Sequence, residues 1–198
     1  AGSGATFSYP YYFTNMFASG LTYEWGTNCG VSGRKLTTAL ASYTNEVQYF
    51  ITNAGATPLL MLWGGINDIV QGSNAATTLN TCSNYVRLVK QDNAAAKVAC
   101  FTVTKALGFT AAGESEVQKF NMLIRQQNWW DYLVDAAGAL PTVPNEMYYN
   151  ADGVHLLDYG YSNVAYCVSQ LLKRGQCNPF STPVLDRNAY PNGAFSST

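Results

Sequence analysis

The chain holds a single histidine, His155, and Asp152 stands three residues before it in the run ADGVHLL, residues 151–157. Imidazole changes charge near neutral pH, so it can take up a proton and return it. A carboxylate that fixes one ring nitrogen in a tautomer leaves the other able to act as a base. A lone histidine is more often structural or solvated. An Asp-x-x-His step in a glycine-containing loop ahead of a helix fits the catalytic use.

Two further runs carry residue types suited to stabilising developing negative charge. In WGGINDI, residues 63–69, two glycines follow an apolar stretch and lead into Asn67 and Asp68. Glycine admits backbone shapes that other residues resist, and an Asn amide at a strand end can donate N–H to an oxyanion. The plainer reading is a Gly/Asn turn with Asp68 capping the next helix. In NCGVSGRKL, residues 28–36, Gly33 offers a backbone N–H at a helix start, where the helix dipole favours negative charge. Taken alone, that run is better accounted for by an ordinary strand-to-helix turn.

These runs need elements to hold them. Residues 8–19 read as a helix with Pro10 early, where its missing N–H costs little. Residues 23–28 read as a short strand, and 34–53 as a long helix with Leu36, Leu40, Val47 and Ile51 near helical spacing. The apolar run PLLMLW, 58–63, is expected to be a strand covered on both faces. Helices are expected over 74–93, 114–137 and 158–174, strands over 97–103 and, shorter, 140–143. Residues 1–177 read as one domain, and 178–198 as a Pro/Asn/Ser-rich tail without periodicity. Strands alternating with helices argue for an α/β fold, a parallel sheet with helices on both faces. Ligands of such sheets sit at the carboxyl ends of the strands. Those ends are 29–33, 64–68 and the loop after Val103.

Composition narrows the function class. The 198 residues suffice for one domain with a sizeable core, and 47% are hydrophobic. No run approaches the roughly 18 apolar residues of a membrane span. The 11 Lys and Arg residues are scattered and the net charge is -1, which argues against a nucleic-acid partner. Only 12% of residues are charged, and with five cysteines the chain reads as extracellular. No signal peptide is visible, as in a mature form whose leader has been removed. Cys167 with Cys177, and Cys82 with Cys100, are pairable, with one thiol left over; five buried, reduced cysteines are the other reading. With one His and no close Cys pair, zinc is not expected.

Taken in order, NCGVSG, GGINDI and DGVHL resemble the second, third and fifth conserved blocks of the SGNH (GDSL-type) hydrolases, over roughly residues 1–175. The resemblance implies a flavodoxin-like three-layer α/β/α sandwich. It also implies Gly33 and Asn67 as oxyanion-hole residues and Asp152 and His155 as members of a catalytic triad.

The family's first block, Gly-Asp-Ser-x-(Thr/Ser), supplies the nucleophilic serine, and no such motif occurs in this sequence. The opening, AGSGATFSYPYYF, is similar to the family's stretch just after that block, which implies a chain starting past the nucleophile. In a 2-1-3-4-5 sheet the first strand lies inside, and leaving its slot empty would orphan backbone groups on two neighbours. The slot is therefore expected to be filled. Three accounts stand: a segment beyond this sequence, a degenerate site that binds without catalysing, or the C-terminal tail. The tail would put Ser196 at the nucleophile's place, although Pro191 and Gly193 suit a central strand poorly. Ser3 is a weaker stand-in.

The reaction implied is hydrolysis of a carboxylic ester through a Ser-His-Asp acyl-enzyme, without metal or organic cofactor. The substrate expected is a carbohydrate acetyl ester or a short-chain acyl ester. Tyr11, Tyr12, Trp25 and Trp63 could stack on sugar rings or belong to the core. The rival is a catalytically degenerate binding or structural protein on the same scaffold. Oligomeric state is not legible.

Overall fold

A computed structural model describes residues 26–104, 109–140, 147–151 and 153–174. Among the described residues the sheet has three parallel strands in the order β1-β2-β3: β1 is Leu59–Leu62, β2 is Lys97–Phe101 and β3 is Tyr132–Val134. Leu59 stands opposite Lys97, and Ala99 opposite Tyr132. Alternate strand residues feed two separate cores. Leu62, Val98, Cys100 and Leu133 face the first, with Leu36, Tyr43, Val86, Phe120 and Ile124. Ala99, Phe101 and Val134 face the second, with Val164, Ala165, Val168 and Leu171. Helices thus cover both faces, giving the three α/β/α layers expected.

The helical stretch expected over 34–53 is three short helices: α1, Leu36–Ala41; α2, Tyr43–Glu46; α3, Gln48–Thr52. Thr37, Thr38, Ser42, Thr44, Asn45 and Val47 are weak helix formers, and the breaks fall at Ser42 and Val47. Burial of Leu36, Tyr43, Val47 and Ile51 holds the pieces in line. Helix α4, Ile66–Val70, follows β1 directly. Helix α5, Ala75–Asp92, lies within the expected 74–93, because Asn74 caps it by accepting the Thr77 N–H at 2.8 Å.

The reading of 114–137 as one helix is corrected. Helix α6, Ala111–Arg125, begins at the Thr110 cap and stops well short, and β3 occupies 132–134. No Gly or Pro marks the stop. Instead the Trp130 indole donates to the Ile124 carbonyl at 3.1 Å, and the Gln127 amide to Leu123 O at 2.9 Å. Side chains thus satisfy the last carbonyls that a continuing helix would have used.

The expected strand over 140–143 falls at Leu140, which is not in a strand, and on residues outside the described ones. Of the expected strand over 23–28, residues 26–28 are irregular and the rest lie outside. Also outside are the helix expected over 8–19, the tail, Ser3, Ser196 and the slot of the first strand. Strand β1 turns Leu60 and Leu62 to the first core and Leu59 and Met61 to the second, so both faces are covered as expected, with Leu59–Met61 half-buried. Helix α7 spans Asp158–Arg174, as expected. Among the described residues no helix is long and apolar enough to cross a membrane.

Candidate active site

The turn 28–34 leaves an irregular segment and enters α1. Asn28 Oδ1 accepts the Gly30 N–H at 2.9 Å, and the Arg34 N–H closes on Val31 O at 3.2 Å. Gly33 has φ +71°, and a Cβ there would meet nothing within 4 Å. Glycine is required at 33 by backbone sign alone, in an exposed turn.

The second run approaches this turn from β1. Gly64 permits a close approach: a Cβ there would lie 2.6 Å from Leu36 Cδ2. Gly65, with φ +110°, ends the turn and begins α4. On α4 the half-buried Asn67 donates its side-chain amide to the Arg34 carbonyl at 3.1 Å. The Gln71 amide reaches Gly33 O at 3.5 Å. Gly33 and Asn67, far apart in sequence, therefore sit side by side.

Asp68 corrects the plainer reading of its run. It lies inside α4 and caps not the following helix but α1, accepting the N–H groups of Leu36 at 2.7 Å and Thr37 at 3.4 Å. Lys35, at the N-cap position of α1, supplies no side-chain cap of its own, so Asp68 satisfies donors that would otherwise be orphaned. The carboxylate is buried, 1% exposed. Its position next to Asn67 was the only sequence signal.

Sequence reading also missed Glu46, which ends α2. Its carboxylate binds the Arg34 guanidinium through Nη1–Oε2 and through Nη2–Oε1 at 3.0 Å. That bond lowers the Glu46 pKa and raises that of Arg34. The Glu46 carbonyl accepts the Cys29 thiol at 3.3 Å. Burial first, then the nearby Glu46 charge, raise the Cys29 pKa, so this turn cysteine does not have the depressed pKa of a thiolate nucleophile.

The histidine loop is a tight hairpin. Tyr149 bridges Leu156 in antiparallel fashion, Asn150 N–H donates to His155 O at 2.9 Å, and Leu157 N–H to Tyr148 O at 2.8 Å. Gly153, with φ +66°, turns the chain at its tip. Gly160, in the first turn of α7, lets that helix press on the loop: a Cβ there would lie 2.6 Å from Tyr148 O. His155 is half-buried; Asp152 lies outside the described residues. Tyr149 and Leu156 pack into the second core with Phe101 and Val134, the last residues of β2 and β3, and half-buried Trp63 joins them. The Trp63 ring stacks on Phe101 at 5.3 Å, which places it against the core. Tyr11, Tyr12 and Trp25 lie outside the described residues.

Behind the loop after Val103, Asn121 holds both the N–H and the carbonyl of Val103 at 2.7 Å. Asp135, at the end of β3, accepts from Thr102 Oγ1 at 2.9 Å and from Arg125 at 2.6 Å. Cys82 and Cys100 are buried thiols with sulfurs 4.0 Å apart, a contact and not a bond. Cys177 lies outside the described residues, and with it the Cys167–Cys177 pairing. Among the described residues no three His, Cys, Asp or Glu side chains gather as a metal site requires.

The family model for the GDSL-like lipase/acylhydrolase family matches residues 1–162. A lipolytic protein of the G-D-S-L family from Veillonella parvula is similar at TM-score 0.66 and 18% identity, over 82% of this chain and 87% of that one. The lipase Lip_vut3 from a goat rumen metagenome is similar at TM-score 0.69 and 14% identity, over 88% and 91%. A carbohydrate esterase family 3 protein from Talaromyces cellulolyticus is similar at TM-score 0.62 and 16% identity, over 87% and 92%. No curated protein sequence matches the chain significantly. At these identities the structural likenesses establish the three-layer fold, while the family match spans most of the sequence: the chain belongs to the GDSL-like lipase/acylhydrolase family of hydrolases.

Proposed function

We propose that the protein is a secreted serine esterase acting on a carbohydrate acetyl ester or a short-chain acyl ester. His155 is the general base, Asp152 orients it, and Gly33 N–H with the Asn67 side-chain N–H receives the oxyanion. Serine Oγ attacks the acyl carbonyl as His155 takes its proton. The intermediate collapses, and His155 returns the proton to the departing alcohol. Water then attacks the acyl-enzyme in the same manner, releasing the carboxylic acid and the free serine. The reaction calls for neither metal nor organic cofactor, and the partner it implies is the ester substrate.

The observation that carries this reading is the bond from Asn67 to the Arg34 carbonyl, 3.1 Å long and next to Gly33. It uses one amide N–H and leaves the second for a ligand. Packing of Tyr149 and Leu156 with Trp63 and Phe101 supports convergence of the histidine loop on the same end of the sheet. The carbohydrate esterase among the similar structures favours a carbohydrate ester as substrate. For the extracellular setting, the support is the polar, weakly charged composition with five cysteines. In that setting a Cys82–Cys100 bridge needs a thiol–disulfide oxidant to take two electrons and two protons, and closure of the 4.0 Å gap between the sulfurs.

The test is turnover of a chromogenic acetyl ester by the natural protein, with a fluorophosphonate to label the nucleophile. Turnover together with a single serine adduct supports the esterase. Neither turnover nor adduct leaves the degenerate binding protein. A labelled Ser3 or Ser196 would decide for one of the two serine candidates within it.

A further inference from the structure

We propose that Glu46 and Arg34 form a positioning pair that sets the aim of both oxyanion donors. This rests on the reading of Gly33 and Asn67 as those donors. The turn 29–34 is exposed at Gly30–Gly33, and Gly33 has neither a side chain nor close neighbours at its Cβ position to restrain it. Glu46 grips the turn at both ends. Its carbonyl takes the Cys29 thiol at the entrance, at 3.3 Å. Its carboxylate takes the Arg34 guanidinium at the exit, on two nitrogens. Such a fork fixes orientation as well as distance.

Arg34 passes that restraint on. Its carbonyl accepts one N–H of the Asn67 amide at 3.1 Å. The two N–H bonds of a carboxamide are coplanar, so anchoring one fixes the direction of the other. The Arg34 peptide therefore decides where the second Asn67 N–H points. Gly33, one residue upstream in the same restrained turn, is held by the same grip. Glu46 can do this because it stands at the break between α2 and α3, where the Phe50 N–H turns to Val47 O at 3.0 Å. Neither Arg34 nor Glu46 is assigned a contact with substrate; both act through the turn.

The variants are Arg34→Lys, which keeps the charge and loses the fork, and Glu46→Gln, which keeps the shape and loses the charge. Both are read on the natural protein with a chromogenic acetyl ester, and by the nitrogen-15 resonances of the Asn67 side-chain amide. Misaligned donors cost turnover rather than binding, so each variant should lower kcat about tenfold and leave KM within about twofold. The two Asn67 amide protons should also draw together in shift. Arg87→Lys, an exposed arginine bonded to Gln91, serves as control and should change neither. Wild-type kcat and unmoved Asn67 resonances in Arg34→Lys would overturn the proposal. If the wild-type protein has no esterase activity, the reading of the donors fails separately. The amide resonances then still decide whether the pair holds the turn: moved, it does; unmoved, the positioning role falls as well.

Discussion

The carboxylate of Asp68 accepts the backbone N–H of Leu36 at 2.7 Å across 32 residues of sequence. One buried bond thus joins the helix that carries Asn67 to the helix that follows Gly33. Replacing Asp68 by Ala removes the cap and leaves two helix donors without it, at a cost of about 1–3 kcal/mol. Urea unfolding should show a lower midpoint with an unchanged slope. A midpoint equal to wild type would mean that water replaces the carboxylate at no cost.

His155→Ala is expected to abolish hydrolysis of a small acetyl ester while leaving the circular dichroism spectrum unchanged. No second histidine exists to replace it as base. Activity at a tenth of wild type or more would remove His155 from that role.

The glycines separate by mechanism. Gly65→Ala adds a Cβ 3.0 Å from Thr78 at φ +110°, and Gly64→Ala one 2.6 Å from Leu36 Cδ2. Each should cost about 1–3 kcal/mol. Gly33→Ala meets nothing and has only the backbone sign against it, about 1 kcal/mol. Thermal midpoints should fall in that order; a Gly33 variant as damaged as Gly65→Ala would show a close neighbour at that turn.

Asp131 provides a pH test of stability. Burial opposes its charge, but hydrogen bonds from Lys90, Lys97 and the Val98 N–H outweigh that and hold its carboxyl below the ordinary value of 3.8. A carboxyl lowered in the folded state stabilises above its unfolded pKa and loses that contribution as pH falls through the folded one. Asp131→Asn should therefore destabilise at neutral pH by about 1–3 kcal/mol. The gap to wild type should close as pH drops below the ordinary value. Denaturant midpoints of both proteins from neutral pH downward measure it; a gap constant with pH would show that charge at 131 is irrelevant.

Much of the scaffold was legible because it is local. The Asn74 cap and the 158–174 helix carry their signals within a few residues, and Leu62, Val98 and Leu133 are buried as apolar strand residues should be. The missed features are those set by distant partners. β3 was read as helix because its break is made by indole and amide donors rather than by Gly or Pro. Asp68 was assigned to the wrong helix and Glu46 was passed over because their partners, Leu36 and Arg34, lie elsewhere in the chain. Gly33 and Asn67 were legible as motif residues; their adjacency is a product of the fold.

The contact between Gly160 and the Tyr148 carbonyl bears on motion. A side chain at 160 would strike that carbonyl 2.6 Å away, so helix and histidine loop meet with no room for one between them. A displacement of His155 relative to the sheet then requires rocking of the whole of α7 on its core, a collective movement on the microsecond-to-millisecond scale rather than a nanosecond loop flicker. An added methyl at Gly160 would prise the two apart and turn a slow, concerted coordinate into a fast, local one.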